Sequence, residues 1–114
     1  MPNGVTSKTI LLVEDEKLLR QSLAELLRDE GYQVVEAANG REGYELVIKQ
    51  PFDLVLTDMS MPEMDGLTLL QHVQRAAPNT PVIVITAFGS VESAVNAMRS
   101  GAVDYLLKPV QFED

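Results

Sequence analysis

The sequence predicts an α/β fold in which a doubly wound, parallel sheet of five strands carries helices on both faces. Two observations lead to this fold class. Short apolar runs rich in branched residues alternate with stretches of helical period, and the connections between them are short. Strict alternation of this kind implies parallel strands joined by right-handed crossovers. The length of 114 residues fits one compact domain and leaves little room for a second.

The strands are expected where the apolar runs stand. The runs TILLV (9–13), DLVLT (53–57) and PVIVIT (81–86) have the composition of strands that are buried on both faces of a sheet. The segment VDYLL (103–107) is a less pure example of the same pattern. The segment YQVVEA (32–37) is more mixed, which is typical of an edge strand.

The first helix is expected over residues 16–30, ahead of Gly31, which favours a helix stop. Its leucines recur at spacings of three and four, which predicts that they share one buried face. These leucines are Leu19, Leu23, Leu26 and Leu27.

Three further helices are marked by residues that favour N-caps. Asn39 is followed three residues later by Glu42, the pattern of a capping box. Asp65 and Ser90 are the other two expected caps. The predicted helices cover residues 40–49, 66 to about 76, and a stretch from Ser90 to Ser100.

Only residues 109–114 follow the last predicted strand and its lysine, too few for the helix that should cover the sheet there. We therefore expect a flexible leader over residues 1–8 and a domain over 9–114 that lacks most of its final helix. Apolar sheet surface beside the first helix would then be exposed, which favours association, including a possible homodimer.

Composition excludes several classes of function. Nine basic and seventeen acidic residues give a net charge of -8, which disfavours direct binding of this segment to nucleic acid or to an anionic membrane. The chain has no cysteine, so disulfides, thiolate metal sites and thiol nucleophiles are absent. No apolar run reaches the roughly 18 residues that span a bilayer. The cytoplasm is the expected location.

Functional groups follow four of the predicted strands, at the edge where open α/β sheets bind ligands. They are Glu14 and Asp15 after the first strand, Asp58 after the third, Thr86 at the end of the fourth and Lys108 after the fifth. Three carboxylates on one rim would repel one another unless a cation neutralised them, and Mg²⁺ suits oxygen ligands and phosphate together. Because a carboxylate can form an aspartyl phosphate, Asp58 on the central strand is the candidate nucleophile.

Four spaced blocks carry a resemblance to a known family. ILLVEDE, DLVLTDMSMPEMDG, VIVITAFG and GAVDYLLKPV resemble, in order and separation, the receiver domain of two-component response regulators over residues 9–110. The resemblance implies a flavodoxin-like strand order 2-1-3-4-5. It also implies a domain that accepts a phosphoryl group from a sensor histidine kinase and changes conformation to control an effector. The stretch GSVESAVNAMRSGAVDYLLKPV resembles receivers of enhancer-binding transcription activators, so transcription is the expected output.

The resemblance also implies a metal site. Asp58 matches the phosphorylated aspartate, and Asp15 matches a direct Mg²⁺ ligand. Glu14 fills the other acidic position and is expected to act through water, while the backbone carbonyl of Ser60 would complete the protein's ligands.

The remaining matches concern the switch. Thr86 corresponds to the hydroxyl residue that turns toward the phosphoryl group, and Lys108 to the lysine of the pocket. Tyr105 corresponds to the aromatic residue that swings inward when Thr86 moves. A domain of this kind is not an enzyme with a separate substrate, since it catalyses only its own phosphorylation and dephosphorylation.

Three other functions require different features in the sequence. An FMN-binding module would need a hydroxyl-rich and glycine-rich phosphate loop after the first strand, where this chain has Glu14, Asp15 and Glu16. A haloacid-dehalogenase-like phosphatase would place its second acid two residues after the nucleophile, where Ser60 stands. A phosphorylation-independent interaction module would bind its partner with or without beryllofluoride.

Overall fold

Strands and helices alternate along the chain as the sequence predicts. The computed structural model describes residues 8–59, 61, 64–86 and 91–107, with only the backbone described at positions 86, 91–94 and 107. The elements are β1 (Thr9–Val13), α1 (Lys17–Asp29), β2 (Gln33–Ala37), α2 (Gly40–Lys49), β3 (Leu54–Asp58), α3 (Gly66–Ala76), β4 (Val82–Thr86), α4 (Val91–Arg99) and β5 (Asp104–Leu107).

The strands form one five-stranded sheet in the order β2-β1-β3-β4-β5, and every pairing is parallel. The predicted fold class and strand order are therefore confirmed, with β3 in the centre and β2 at an edge. In the register, Val13 pairs with Thr57 and Asp58 pairs with Ile85. The residues that follow β1 consequently lie level with the end of β3.

Two hydrophobic clusters cover the two faces of the sheet. On one face, residues of α2, α3 and α4, including Val47, Leu69 and Ala97, pack against the sheet. On the other face, Leu23 and Leu27 of α1 do so. The sheet residues Leu54, Ile83 and Leu106 also pack against the α1 cluster, and they are only partly buried. This arrangement is the doubly wound one that strict alternation predicts.

The helix ends are set by local chemistry. The Asn39 carboxamide oxygen accepts a hydrogen bond from the Glu42 amide at 2.9 Å, and the Glu42 carboxylate accepts one from the Ala38 amide at 2.9 Å. The Asp65 carboxylate accepts one from the Thr68 amide at 2.8 Å. These bonds confirm both predicted caps. Ser90, the third, lies outside the described residues.

Helix α1 departs from its prediction in one leucine. Leu23, Ala24 and Leu27 are its buried residues, and Leu19 is partly buried, whereas Leu26 is 46% exposed. The expectation that Leu26 shares the buried face is wrong, because Ala24 lies closer to the centre of the face that meets the sheet. After α1, Gly31 has a φ of 102°, a conformation that suits glycine at a helix end.

Candidate acidic site at the carboxyl ends of β1 and β3

Three carboxylates meet where β1 and β3 end. Glu14 and Asp15 directly follow β1, and Asp58 is the last residue of β3. Each of the three offers an oxygen, and these oxygens all lie within 4.8 Å of one another. The parallel pairing of β1 with β3 brings them together, because it aligns the two strand ends.

The three acids differ in their exposure to solvent. Glu14 is fully buried and Asp58 is 4% exposed, whereas Asp15 is exposed. The Glu14 amide donates to the Ala37 carbonyl at 3.0 Å, and the Glu14 carboxylate accepts from the Glu16 amide at 3.0 Å. Both ends of Glu14 are thereby held, and its carboxylate supports the start of α1. Asp15 provides the solvent-facing side of the cluster.

The start of α3 lies close against the end of β3 at Asp58. The Met59 amide donates to the Ile85 carbonyl at 2.9 Å, and the Gly66 amide donates to the Met59 carbonyl at 2.9 Å. A Cβ at position 66 would overlap the Asp58 carbonyl oxygen and would lie 2.8 Å from the Met59 Cα. Glycine is therefore the residue that lets α3 begin this close to the end of β3.

An arginine that the sequence analysis did not single out contacts the same region. The Nη1 of Arg20 donates a hydrogen bond to the Glu14 carbonyl oxygen at 2.7 Å. The Nε of Arg20 lies 3.4 Å from Oε1 of Glu36. The other oxygen of Glu36 lies 3.2 Å from Nη2 of Arg28. One signal of this contact was present in the sequence, the charged residue Glu36 inside the edge strand β2.

The acidic cluster has the donors that a hard divalent cation takes. All three donors are carboxylate oxygens, which Mg²⁺ and Ca²⁺ prefer to nitrogen or sulfur. Burial of Glu14 and Asp58 raises the cost of leaving converging negative charge without a counter-ion. The residues present therefore fit a metal ion at this rim.

The structure describes one of the other predicted site residues fully, one by its backbone alone, and the rest not at all. Thr86 is the last residue of β4, which places its backbone at the expected rim, but its side chain is outside the described part. Ser60 and Lys108 lie wholly outside the described residues. Tyr105 lies on β5, where it pairs with Val84 and is 40% exposed. The proximity of Glu14, Asp15 and Asp58 is thus the part of the predicted constellation that can be seen.

Comparisons of the sequence with a family model and with curated proteins both match response regulators. The family model described as the response regulator receiver domain matches residues 10–114. The transcriptional regulatory protein ZraR of Escherichia coli K12 is 46% identical over 105 residues, and the response regulator protein PilR of Pseudomonas aeruginosa is 44% identical over 100 residues. These matches cover 92% and 88% of the chain, but only 24% and 22% of the two relatives.

Solved structures agree with the sequence matches. The crystal structure of a response regulator receiver domain protein from Clostridium thermocellum has a TM-score of 0.87 and 34% identity. The match covers 91% of this chain and 84% of that one. These similarities favour the receiver interpretation over the flavin-binding and phosphatase alternatives. Separately, none of the described helices combines the length and apolar character that crossing a bilayer requires.

Proposed function

Because this chain belongs to the response regulator receiver domain family, the phosphoacceptor domains of two-component systems, we propose that Asp58 is the residue that accepts the phosphoryl group. One observation carries the assignment: Asp58 ends the central strand within 4.8 Å of two further carboxylates from the neighbouring strand end. An aspartate carboxylate is a competent nucleophile for phosphoryl transfer when nearby groups offset its charge.

The proposed metal is Mg²⁺. Asp15 and Asp58 would bind it directly, Glu14 through water, and the carbonyl of Ser60 would be a further ligand. When bound, the ion supplies positive charge that offsets both the carboxylates and the incoming phosphoryl oxygens. The exposure of Asp15 supports its direct role, because an ion that arrives from solvent can reach its carboxylate without a change in the buried acids.

In the proposed reaction, a sensor histidine kinase is the donor. A carboxylate oxygen of Asp58 attacks phosphorus in line with the bond to the imidazole nitrogen of a phosphohistidine. The phosphorus–oxygen bond forms as the phosphorus–nitrogen bond breaks, and the imidazole leaves with the electron pair. Lys108 would pair with a phosphoryl oxygen. The domain thus catalyses its own phosphorylation. In dephosphorylation, water attacks the same phosphorus, the bond from phosphorus to the Asp58 oxygen breaks, and inorganic phosphate leaves as the carboxylate is restored.

Conformational change is proposed to follow from the new charge. The hydroxyl of Thr86 would turn toward the phosphoryl oxygens, and Tyr105 would move into the space that it leaves. The position of Tyr105 supports this step, since β5, which carries it, pairs with β4, which ends at Thr86. Tyr105 is 40% exposed and so can become more buried. The output face is then α4 together with β5.

The output is proposed to be transcription through an effector domain or partner protein, since one of the relatives is named a transcriptional regulatory protein. A homodimer is also proposed. With a net charge of -8, this segment is not expected to bind nucleic acid itself. The cytoplasm, where such a regulator meets its genes and its kinase, is the proposed location.

The assignment of Asp58 is tested with acetyl phosphate and Mg²⁺. Wild type should gain the mass of one phosphoryl group, and Asp58→Asn should gain none. Asp53→Asn is the matched control, because Asp53 lies just before the other end of β3, where its carboxylate accepts a hydrogen bond from the Thr9 amide at 2.8 Å. That variant should be phosphorylated as wild type is. Undiminished phosphorylation of Asp58→Asn would refute the assignment.

A further inference from the structure

We infer that Arg20 is a positioning residue for the metal site: its guanidinium, held by Glu36, fixes the peptide between Glu14 and Asp15 and so orients both acids toward the ion. This inference rests on the proposed function, because it concerns the same site. Arg20 is not a ligand, since its contact is with the backbone of Glu14.

The group that Arg20 contacts is rigid. The carbonyl of Glu14 and the amide of Asp15 belong to one planar peptide unit. A donor that fixes the carbonyl oxygen therefore fixes the plane from which Asp15 departs. The Arg20 bond of 2.7 Å to that oxygen has the length of a strong, charge-assisted hydrogen bond.

Arg20 is itself held in place by Glu36. Its side chain is 15% exposed, and Glu36 is 26% exposed, so the pair is largely removed from water. Glu36 uses its second oxygen to contact Arg28, whose Nη2 also donates to the Val34 carbonyl at 2.9 Å. The guanidinium is thus anchored to β2, which pairs with β1. A planar fork is required for simultaneous contact with a carbonyl and a carboxylate, so lysine is not an equivalent replacement.

The N-terminus of α1 is stabilised differently from those of α2 and α3. Helices α2 and α3 are capped by the side chains of Asn39 and Asp65, but Glu16, at the N-cap of α1, makes no capping bond through its side chain. The turn that carries Glu14 and Asp15 is instead fixed by the Glu14 carboxylate and by Arg20. The loop of the acidic site therefore depends on a contact from within α1.

The sign of the effect on Mg²⁺ affinity separates positioning from charge. As a fixed positive charge, Arg20 would oppose cation binding, so its removal would strengthen Mg²⁺ binding. As a positioning residue, its removal weakens binding. Loss of groups that orient metal ligands commonly costs 10- to 100-fold in affinity, and the backbone route of this contact points to about tenfold.

The experiment measures Mg²⁺ dissociation constants by amide NMR titration of the full chain. Arg20→Met should bind about tenfold more weakly. Arg20→Lys, which keeps the charge, should also be weakened. Arg41→Met is the matched control, because it also removes one positive charge and one ion pair, that between Arg41 and Glu45 on the surface of α2. Its affinity should equal that of wild type.

A second measurement is made without Mg²⁺. Amide relaxation at Asp15 and Glu16 should show a rigid turn in wild type and increased motion in Arg20→Met. If Arg20→Met does not fold, Arg20→Lys and Glu36→Gln decide the question with the same two readouts. A lower melting temperature with unchanged Mg²⁺ affinity, or tighter Mg²⁺ binding, overturns the inference.

These outcomes are separate from failure of the proposed function. If wild type binds Mg²⁺ and is phosphorylated on Asp58 while the Arg20 variants match it, only the role of Arg20 is refuted. If wild type does not bind Mg²⁺ at the acidic cluster, both the metal site and the role of Arg20 are refuted.

Discussion

Replacement of Gly66 by alanine should disturb the phosphoacceptor through the backbone. The added Cβ would overlap the Asp58 carbonyl oxygen and would lie 2.8 Å from the Met59 Cα and 2.9 Å from the Asp58 carbonyl carbon. Ordinary contacts to a carbon atom begin at about 3.2–3.5 Å, so the start of α3 or the end of β3 must shift by roughly 1 Å to clear the Asp58 carbonyl oxygen. All three obstructing atoms belong to the backbone, and no side-chain rotation can relieve the overlap.

The expected cost follows from two opposing effects. Overpacking of this kind costs about 1–3 kcal/mol, and alanine in place of glycine in a helix returns about 0.5–1 kcal/mol. Gly66→Ala should therefore lose up to about 2.5 kcal/mol of unfolding free energy in a urea titration. Because displacement of a reacting group by about 1 Å can cost roughly 100-fold in rate, phosphorylation by acetyl phosphate should slow by up to that factor.

Gly31→Ala is the control for this experiment. Gly31 has a φ of 102° and nothing within 4 Å of its Cβ position, so alanine there is strained without touching another residue. It should cost about 1–2 kcal/mol and leave the phosphorylation rate unchanged. The reasoning is refuted if Gly66→Ala matches wild type in both measurements, or if the two variants slow phosphorylation equally.

Three further predictions concern stability. Asn39→Ala, which removes the acceptor for the Glu42 amide, should lower the unfolding free energy by about 1 kcal/mol in a urea titration. Leu69→Ala should cost about 2–5 kcal/mol by the same measurement, because Leu69 is fully buried in the core beneath α3, and a loss below 1 kcal/mol would contradict the packing. Mg²⁺ at about 100 times its dissociation constant should add about 2.7 kcal/mol to the unfolding free energy of wild type. It should add much less to that of Asp15→Asn, and thermal melts with and without the ion measure both effects.

Much of the fold could be predicted because its signals are local. Residues close in sequence are enough to identify the apolar runs of β1, β3 and β4. The same is true of the helix caps at Asn39 and Asp65. The rule that ligands bind at carboxyl ends of parallel strands then indicated the meeting of Glu14, Asp15 and Asp58, which the structure shows.

Features that depend on tertiary contact could not be predicted in the same way. The spacing of Leu26 fits the leucine pattern of α1, but the orientation of the helix on the sheet decides which flank is buried, and Leu26 is 46% exposed. The contact of Arg20 with Glu14 and Glu36 joins α1 to the residue after β1 and to β2, and it forms because α1 packs beside these strands. A charged residue inside a strand is also typical of a sheet edge, so Glu36 alone did not indicate an ion pair with Arg20.

The most direct test of the central claim is to locate the phosphoryl group. The chain would be treated with acetyl phosphate and Mg²⁺ and then with borohydride, which reduces an aspartyl phosphate to homoserine, and the peptides would be sequenced by tandem mass spectrometry. The account predicts homoserine at position 58 and unmodified aspartate at positions 15 and 53. Homoserine at another position, or none at position 58 after the intact protein has gained a phosphoryl group, would contradict it.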